Sequence, residues 1–583
     1  MTNRDIAAAF DEVADLLEFQ GANPFRVRAY RNAARRIGDF PEPLESIVRD
    51  PDRSVTDIDG IGKDLAEKVA ELVKTRRLAM LEELRSQVPP GVMALMRIPG
   101  LGPKKAATLH KELKIDSLDM LRAACEADEV SKLKGFGAKT QEKLLAGIDF
   151  AAHADERMYW AEADAIVQEL LAHMQKLKSI RQLEVAGSYR RGKETIGDLD
   201  LLVDAKNADA VMDHLAKFGD VAAVIGRGDT KLSLRLARGL QIDLRVVPTK
   251  SFGAALQYFT GSKDHNVILR GMAKDRGLKI NEYGVFRVSK KASEEDDSEG
   301  EYIAGKKEND VYAAMDLPCF PPEIREAREE FAWAAAGKLP KLIELSDLQG
   351  DLHMHTTASD GKATLAEMAA AAQVRGLKYI AITDHSKRVS MANGLDPARC
   401  RKQWQDIDRL NRELDGFVVL KGIECDILEK GGMDLPNDVL AEADWVVASV
   451  HYGQNQPREQ ITERILGALE NPHVSIIAHP TGRLINRREP YAVDLEQVFA
   501  AAKRYGKFLE LNANPARLDL DDVNCIAAKR NGIPIVISSD AHSTGGLEVL
   551  RYGVIQARRG GLTAGNVPNT RPWAEVKKML RRS

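Results

Sequence analysis

Three observations predict a multidomain chain of α and α/β character. Residues 1–150 are rich in helix formers and hold no run of alternating β-branched residues, so they read as helical. Around 183–247, the short alternating stretches LEVAGS, DLDLLVDA, KLSLRLA and LQIDLRVVP read as strands of one sheet. From residue 350 on, YIAITDH, FVVLKGIECDI, WVVASVHY, VSIIAHP, FLELNA and IPIVISSDAH alternate with helical segments. That alternation implies parallel strands joined by crossover helices, in a layered or barrel arrangement.

Length and composition set the outer bounds. The 583 residues suggest about three to five domains of ~100–200 residues each. Hydrophobic residues make up 44% and charged residues 29%, as in an ordinary globular protein. No apolar run approaches the ~18–20 residues that span a bilayer, so no membrane association is expected. The N-terminus mixes acids with apolar residues at helical spacing, unlike a signal peptide. The five cysteines are scattered without a CxxC pair, which predicts a reducing cytoplasm and excludes a thiolate zinc site. A net charge of −3 supplies no global basic field, so any nucleic-acid contact must come from local geometry.

Three helical segments share one form: DIDGIGKDLAEKVAEL (57–72), RIPGLGPKKAATLHKEL (97–113) and LKGFGAKTQEKLLAGI (133–148). Each places an apolar residue between two glycines, then opens an amphipathic helix. The glycines (Gly60 and Gly62, Gly100 and Gly102) permit a close backbone approach, and the helix start aims free N–H groups at an anion such as a DNA phosphate. Lys63, Lys104, Lys105 and Lys139 stand beside them. One copy alone would read as a plain helix–helix turn. Three copies resemble helix-hairpin-helix motifs, which hold the nucleic-acid backbone without reading its sequence.

In AGSYRRGKETIGDLDLLV (186–203), Asp198 and Asp200 lie at i and i+2 of a strand and so share a face. LQIDLRVVP offers Asp243 on what should be a nearby strand. Three such carboxylates repel unless cations sit between them, and they can hold two Mg²⁺ for an in-line phosphoryl displacement. The Gly187–Ser188 turn, with Arg190 and Arg191, supplies donors suited to a triphosphate. A lone Asp-x-Asp is commonly just a solvent-facing strand pair; the Gly-Ser turn upstream weighs against that.

GSYRRGKETIGDLD resembles the palm of the family X DNA polymerases, the DNA polymerase beta group. The resemblance extends through LQYFTGSKDHNVILRGMAKDRGLKINEYGVF (256–286) and covers most of residues 1–320. It implies that Tyr258, Phe259 and Gly261 line the incoming sugar. Asn266 and Arg270 would contact base pair and template in the minor groove, and Ser188 and Arg191 would bind phosphate. Lys263 stands where the vertebrate enzyme has an acid. The resemblance further places Lys68 where the family's lyase nucleophile forms a Schiff base, although Asp64 and Arg26 replace two of its supporting lysines.

Six of the twelve histidines fall in strand-end motifs after residue 350: His353, His355, His385, His451, His479 and His542. Asp360, Glu424 and Asp540 accompany them. A single strand-end histidine is usually structural. Nine N and O donors recurring at strand ends instead suit about three ions of Mn²⁺, Zn²⁺ or Fe²⁺, which acidify a bound water for phosphoester hydrolysis. Their order resembles the PHP (polymerase and histidinol phosphatase) domain, a distorted seven-fold β/α barrel, over about 345–575.

These resemblances together imply six segments. They are an N-terminal helical, lyase-like DNA-binding domain (1–85), a second helix-hairpin-helix subdomain (86–150), a palm (151–248), a nucleotide- and template-binding subdomain (249–318), a linker (319–345) and a PHP phosphoesterase domain (346–583). The expected activity is template-directed filling of short gaps in DNA repair. A Mn²⁺-dependent 3′–5′ exonuclease would accompany it, with abasic-site endonuclease or 3′-phosphoesterase activity as an extension. The partners would be gapped or nicked duplex DNA and deoxynucleoside triphosphates, bound by a monomer. The rivals are a PHP half acting as scaffold or small-molecule phosphatase, and a nucleotidyltransferase acting on something other than DNA. The acidic insert 292–301 reads as a solvated hairpin tip.

Overall fold

The computed structural model describes residues 3–38, 40, 44–58, 60–89, 91–96, 98, 101–138, 140–142, 144–145, 157–288 and 300–580. They divide into two compact units, Met1–Arg157 and Met158–Ser583. No helix among the described residues is long and apolar enough to cross a membrane.

The first unit is helical throughout its described residues, as its composition requires. One continuous apolar cluster runs through it, from Ile6 and Phe10 by way of Leu65 and Leu109 to Phe136 and Leu144. The three glycine hairpins are built alike. The residue between the glycines, Ile61, Leu101 or Phe136, is buried in each. Its N–H donates to a carbonyl three residues earlier, on Ile58, Ile98 and Leu133, at 3.0, 2.9 and 3.0 Å. An apolar plug thus pins each turn to the core and leaves Gly60, Gly62, Gly102, Gly135 and Gly137 exposed.

In the second unit, β1 (Ile180–Val185), β2 (Asp198–Ala205), β3 (Val221–Arg227), β4 (Lys231–Leu236) and β5 (Gln241–Val247) form a sheet of order β1-β2-β5-β4-β3. Only β2 and β5 run parallel. Alternation sorts their two faces. Leu199, Leu201 and Val203 join Ile242, Leu244 and Val246 in a core shared with helices Trp160–Met174 and Ala208–Leu215. Asp198, Asp200 and Asp243 therefore project from the other face.

Two helices, Phe252–Thr260 and Lys263–Asp275, lead into an antiparallel sheet of β6 (Leu278–Asn281), β7 (Gly284–Val288) and β8 (Gly300–Ala304). The acidic insert 292–301 falls between β7 and β8, and all but its last two residues lie outside the described ones. The connection that follows is itself a packing element. Phe320, Ile324 and Leu342 enter the core of Leu269, Val285 and Tyr312. Arg325 is fully buried there. Its guanidinium donates to Glu308 Oε1 at 2.5 Å and twice to the Phe320 carbonyl at 2.9 and 2.7 Å, and it lies over the Tyr312 ring.

Seven parallel strands follow in sequential order: β9 (Gly350–Asp351), β10 (Tyr379–Ile382), β11 (Val418–Asp426), β12 (Trp445–Ser449), β13 (Ile476–Ile477), β14 (Phe508–Asn512) and β15 (Ile535–Ser538). The two edges meet through a parallel bridge between Met354 and Ala541 and through Asp540 N–H to the His353 carbonyl at 2.9 Å. Strand alternation alone left layered and barrel forms open and the PHP resemblance implied the barrel; the edge pairing bears that out. One set of side chains packs under the surrounding helices, as Ile380, Ile423 and Leu509 do. The alternate set (Tyr379, Leu420, Trp445, Phe508) packs with Val576 and Leu580 near the C-terminus. The barrel is thus filled, and its polar residues collect at the strands' C-terminal ends.

Removing a buried cation costs about 3–5 kcal/mol when its carboxylate is left unpaired, and less here because Glu308 keeps Arg190 as a partner. Arg325→Ala should therefore lower the unfolding free energy of the full chain, read by urea titration, by up to about 3 kcal/mol, with Arg325→Lys intermediate.

Candidate active sites

The parallel register of β2 and β5 sets Asp200 directly opposite Asp243, with Asp198 two residues earlier on the same face. Asp243 is oriented by Ser233 Oγ and by Gln241 Nε2, the latter at 2.7 Å. Burial, reinforced by the Asp198 and Asp243 carboxylates, pushes Asp200 up to about 7 despite nearby Arg245 and Arg191. Three acids so placed hold protons or cations, and a divalent cation is the better fit for an all-oxygen set. The turn before β2 approaches closely. Gly187 has φ +63°, and a Cβ on it would stand 2.3 Å from an Asp200 carboxylate oxygen. The neighbouring Ser188 Oγ is buried without a hydrogen-bond partner, as an awaited phosphate oxygen would leave it.

The structure corrects the pairing of Arg190 with Arg191 as triphosphate donors. Arg190 is committed elsewhere: it meets both oxygens of Glu308 at 2.8 Å and Thr260 Oγ1 at 2.8 Å. Arg191 donates through Nε to Glu326 at 3.1 Å and through Nη1 to the Thr260 carbonyl at 2.5 Å. Gly261, at φ +69°, closes the helix that carries Tyr258 and Phe259. Arg245 lies 4.7 Å over the Phe259 ring. Asn266 is buried, with its oxygen receiving Gln257 Nε2 at 2.7 Å and its amide nitrogen donating to the Tyr258 carbonyl at 2.8 Å. Its amide therefore fixes the Tyr258 backbone. Arg270 Nε reaches the Asn266 carbonyl at 3.3 Å.

In the first unit, Gly62 and Gly102 are the N-caps of helices Lys63–Thr75 and Pro103–Leu113, with no side chain capping either start. Their free N–H groups and Lys63, Lys104 and Lys105 form two anion-receptive starts. Gly60 takes φ +84°, while Gly100 and Lys139 lie outside the described residues. Lys68, the expected lyase nucleophile, is ion-paired to Asp64 Oδ1 at 2.5 Å. Burial pulls its ammonium down, but Asp64 and Tyr30 more than offset this and hold it above the ordinary lysine value. A Schiff-base lysine needs the opposite shift.

The barrel brings all nine expected donors together. Glu424, on β11, is the hub: its carboxylate oxygens lie 2.8 Å from His385, 3.2 Å from His479, 3.4 Å from His451, 3.5 Å from His353 and 3.6 Å from His355. Asp540 stands 3.2 Å from His355, and Asp360 stands 3.5 and 3.6 Å from His542 and His385. Three groups could each hold an ion: His355, Asp360, His385 and His542; His353, His355 and Asp540; His385, Glu424 and His451. Buried atoms with no hydrogen-bond partner belong to this cluster, among them His353 Nε2, His355 Nδ1, His385 Nδ1 and Glu424 Oε2. Such orphans fit metal ligands.

Without an ion, the electrostatics divide the imidazoles between neutral and protonated forms. Burial and the neighbouring His385 bring His355 down to about 4, the neutral form a ligand needs. Burial lowers His385 too, but Glu424 and Asp360 carry it up to about 10. Glu424 stays well below its usual value because the surrounding imidazoles outweigh its burial. Asp540 takes φ +55°, a conformation uncommon outside glycine and found at strained functional positions.

Sequence reading missed the carboxylates behind the histidines. Glu510 on β14 accepts His353 Nδ1 at 2.7 Å and the His479 N–H at 2.6 Å. Asp426 takes the His451 N–H and Nδ1 at 3.0 and 3.2 Å, and Asn512 donates to Asp540 at 3.0 Å. Glu510 and Asn512 belong to FLELNA, which, like the strand that ends in Glu424 and Asp426, carries no histidine at its end. Its alternation with a fully apolar partner set was the only available signal.

Comparison with known proteins follows the same division. The chain matches family models for a helix-hairpin-helix domain (1–78), a SAM-like helix-hairpin-helix tandem (52–116 and 92–149), the DNA polymerase beta palm (157–248), the DNA polymerase beta thumb (255–326) and the PHP domain (351–514). It is 40% identical over 591 residues, spanning 100% of both chains, to the Bacillus subtilis protein named DNA polymerase/3′-5′ exonuclease PolX. It is also 33% identical over 244 residues to a probable phosphatase of Thermoanaerobacter sp. strain X514, covering 40% of this chain and 94% of that one. A probable phosphatase of Acetivibrio thermocellus is 34% identical over 201 residues, 33% of this chain and 78% of its own.

Loss of a carboxylate behind a metal-binding histidine typically weakens metal affinity about 10–100-fold. Glu510→Gln should reduce the transition-metal affinity of the barrel by that factor, read by metal titration of the chelator-stripped protein.

Proposed function

The chain belongs to the family X DNA polymerases that carry a PHP domain, and on that premise we propose that it fills short gaps during DNA repair and trims DNA 3′ ends at a second site. One observation carries this reading. Two donor sets of different chemistry stand in the same unit, an all-carboxylate set on β2 and β5 and an imidazole-rich set at the barrel's strand ends. The first suits two Mg²⁺, and the second suits about three ions of Mn²⁺, Zn²⁺ or Fe²⁺. When bound, such ions neutralise phosphate charge and acidify the attacking hydroxyl or water.

The residues of the chain do the positioning. Asp198, Asp200 and Asp243 would hold the polymerase cations, and Ser188, Arg191 and the Gly187 turn would receive the triphosphate. Tyr258 and Phe259 would line the sugar beside Gly261, where the missing Cβ leaves room. Asn266 would act by fixing Tyr258, and Arg270 by facing the template strand. The N-cap glycines Gly62 and Gly102, with Gly60, Gly100, Lys63, Lys104 and Lys105, would hold the DNA backbone. At the barrel, His353, His355, Asp360, His385, Glu424, His451, His479, Asp540 and His542 would hold the nuclease metals. Lys68 stands outside this scheme, with its ammonium ion-paired to Asp64 at 2.5 Å.

A second reading, that the barrel hydrolyses small phosphate monoesters, draws on the relatives named probable phosphatases. Release of inorganic phosphate from a small monoester, with no loss of 3′ nucleotides from a gapped duplex, would decide for it.

On a one-nucleotide gap, Asp198→Ala with Asp200→Ala should abolish extension and spare 3′ degradation, while His353→Ala with His355→Ala should do the reverse. Degradation that survives the histidine pair would remove the barrel from the scheme. Because Asp200 titrates near 7, it must lose a proton before it can hold a cation. The Mg²⁺ concentration for half-maximal extension should therefore rise roughly tenfold between pH 8 and pH 6.

A further inference from the structure

The turn carrying Gly187, Ser188 and Arg191 is gripped by residues far along the chain, in the barrel half. Gly192, at φ +65°, marks the contact: a Cβ there would stand 2.2 Å from Ile555 Cγ2, on helix Leu550–Arg559. At the end of that helix Arg559, fully buried, donates through Nη1 to the Arg191 carbonyl at 2.7 Å and to Glu326 Oε1 at 3.0 Å. Its other terminal nitrogen donates to Asp522 Oδ2 at 2.5 Å. Glu326 Oε1 in turn takes Arg191 Nε at 3.1 Å and has Lys193 Nζ at 3.6 Å. Two residues beyond the turn's glycine, Glu194 is held by Arg483 of the barrel at 2.8 Å. Arg191 is thus fixed twice, by its carbonyl to Arg559 and by its side chain to a carboxylate that Arg559 orients. Its Nη1 donates to the Thr260 carbonyl at 2.5 Å, next to Gly261.

We infer that Arg559 and Glu326 are positioning residues for nucleotide binding at the palm, so that the barrel sets the geometry of the triphosphate turn. This rests on the polymerase reading. A phosphate cradle made of backbone N–H groups and one guanidinium is effective only when held in place before the ligand arrives. The Arg191 side chain takes its hydrogen-bond partners from beyond the palm, the carboxylate of Glu326 and the carbonyl of Thr260. The buried network is costly to desolvate, and what it secures is one arrangement. A merely adhesive role would predict no link between Arg559 and nucleotide affinity. The positioning role predicts one, of the size typical of coupling between sites.

The test uses the full chain with Arg559→Gln, Arg559→Lys and Glu326→Gln. Steady-state KM and kcat for one deoxynucleoside triphosphate are measured on a one-nucleotide gap with Mg²⁺, and 3′ degradation with Mn²⁺ is measured on the same preparations. Arg559→Gln and Glu326→Gln should raise the nucleotide KM roughly tenfold with a smaller change in kcat and with degradation retained. Arg559→Lys, which keeps the charge but lacks the fork that serves all three acceptors, should fall between. An unchanged nucleotide KM in variants that still degrade DNA overturns the inference, even if their unfolding temperature falls. Should Arg559→Gln lose degradation as well through misfolding, Glu326→Gln, outside the barrel, decides alone. Wild-type protein that extends no primer would instead sink the polymerase reading, and the inference with it.

Discussion

Glu424 lies within 3.6 Å of five imidazoles, and that arrangement can exist only because seven strands deliver their ends to one place. A buried carboxylate at the centre of a barrel is tolerable when cationic or polar groups surround it, and the same imidazoles need the carboxylate or a metal in their turn. The charge balance is therefore mutual, and it depends on barrel closure at Met354 and Ala541. Opening that edge would separate His353 and His355 from Asp540. The hydrophobic filling of the barrel by Tyr379, Trp445 and Phe508 serves the same end by keeping the strands in register.

The palm solves the equivalent problem with like charges. Asp200 and Asp243 face each other across a parallel pair, and burial, then repulsion from Asp198 and Asp243, raises Asp200. No imidazole balances them. Arg191 and Arg245 do so in part, which leaves a site whose remaining deficit a divalent cation would fill. The contrast explains how one polypeptide can keep two metal chemistries apart: the donor types differ, so the preferred ions differ.

Between the two sites runs a chain of buried ion pairs: Asp522 with Arg328 and Arg559, Arg559 with Glu326, Glu326 with Arg191. Such networks have fixed geometry because every member is desolvated and any lost partner leaves a charge stranded. Their placement here, against the turn below Asp200, makes the barrel part of the frame of the palm. The connecting residues 319–345 act in the same sense through Arg325, whose guanidinium bonds both Phe320 and Glu308, the carboxylate that also holds Arg190.

The sequence by itself determined the local and periodic features. Alternation placed Asp198 and Asp200 on one strand face, helical spacing marked the three glycine hairpins, and the recurrence of histidines at strand ends picked out all nine barrel donors. Each of these depends on neighbours within a few residues. Only the tertiary structure decided what depends on distant partners. It opposed Asp243 to Asp200, diverted Arg190 to Glu308, tied Lys68 to a changed neighbour at 64, and put Glu510 behind His353. A side chain's free donors are a property of everything folded around it, and no spacing along the chain records which of them are already taken.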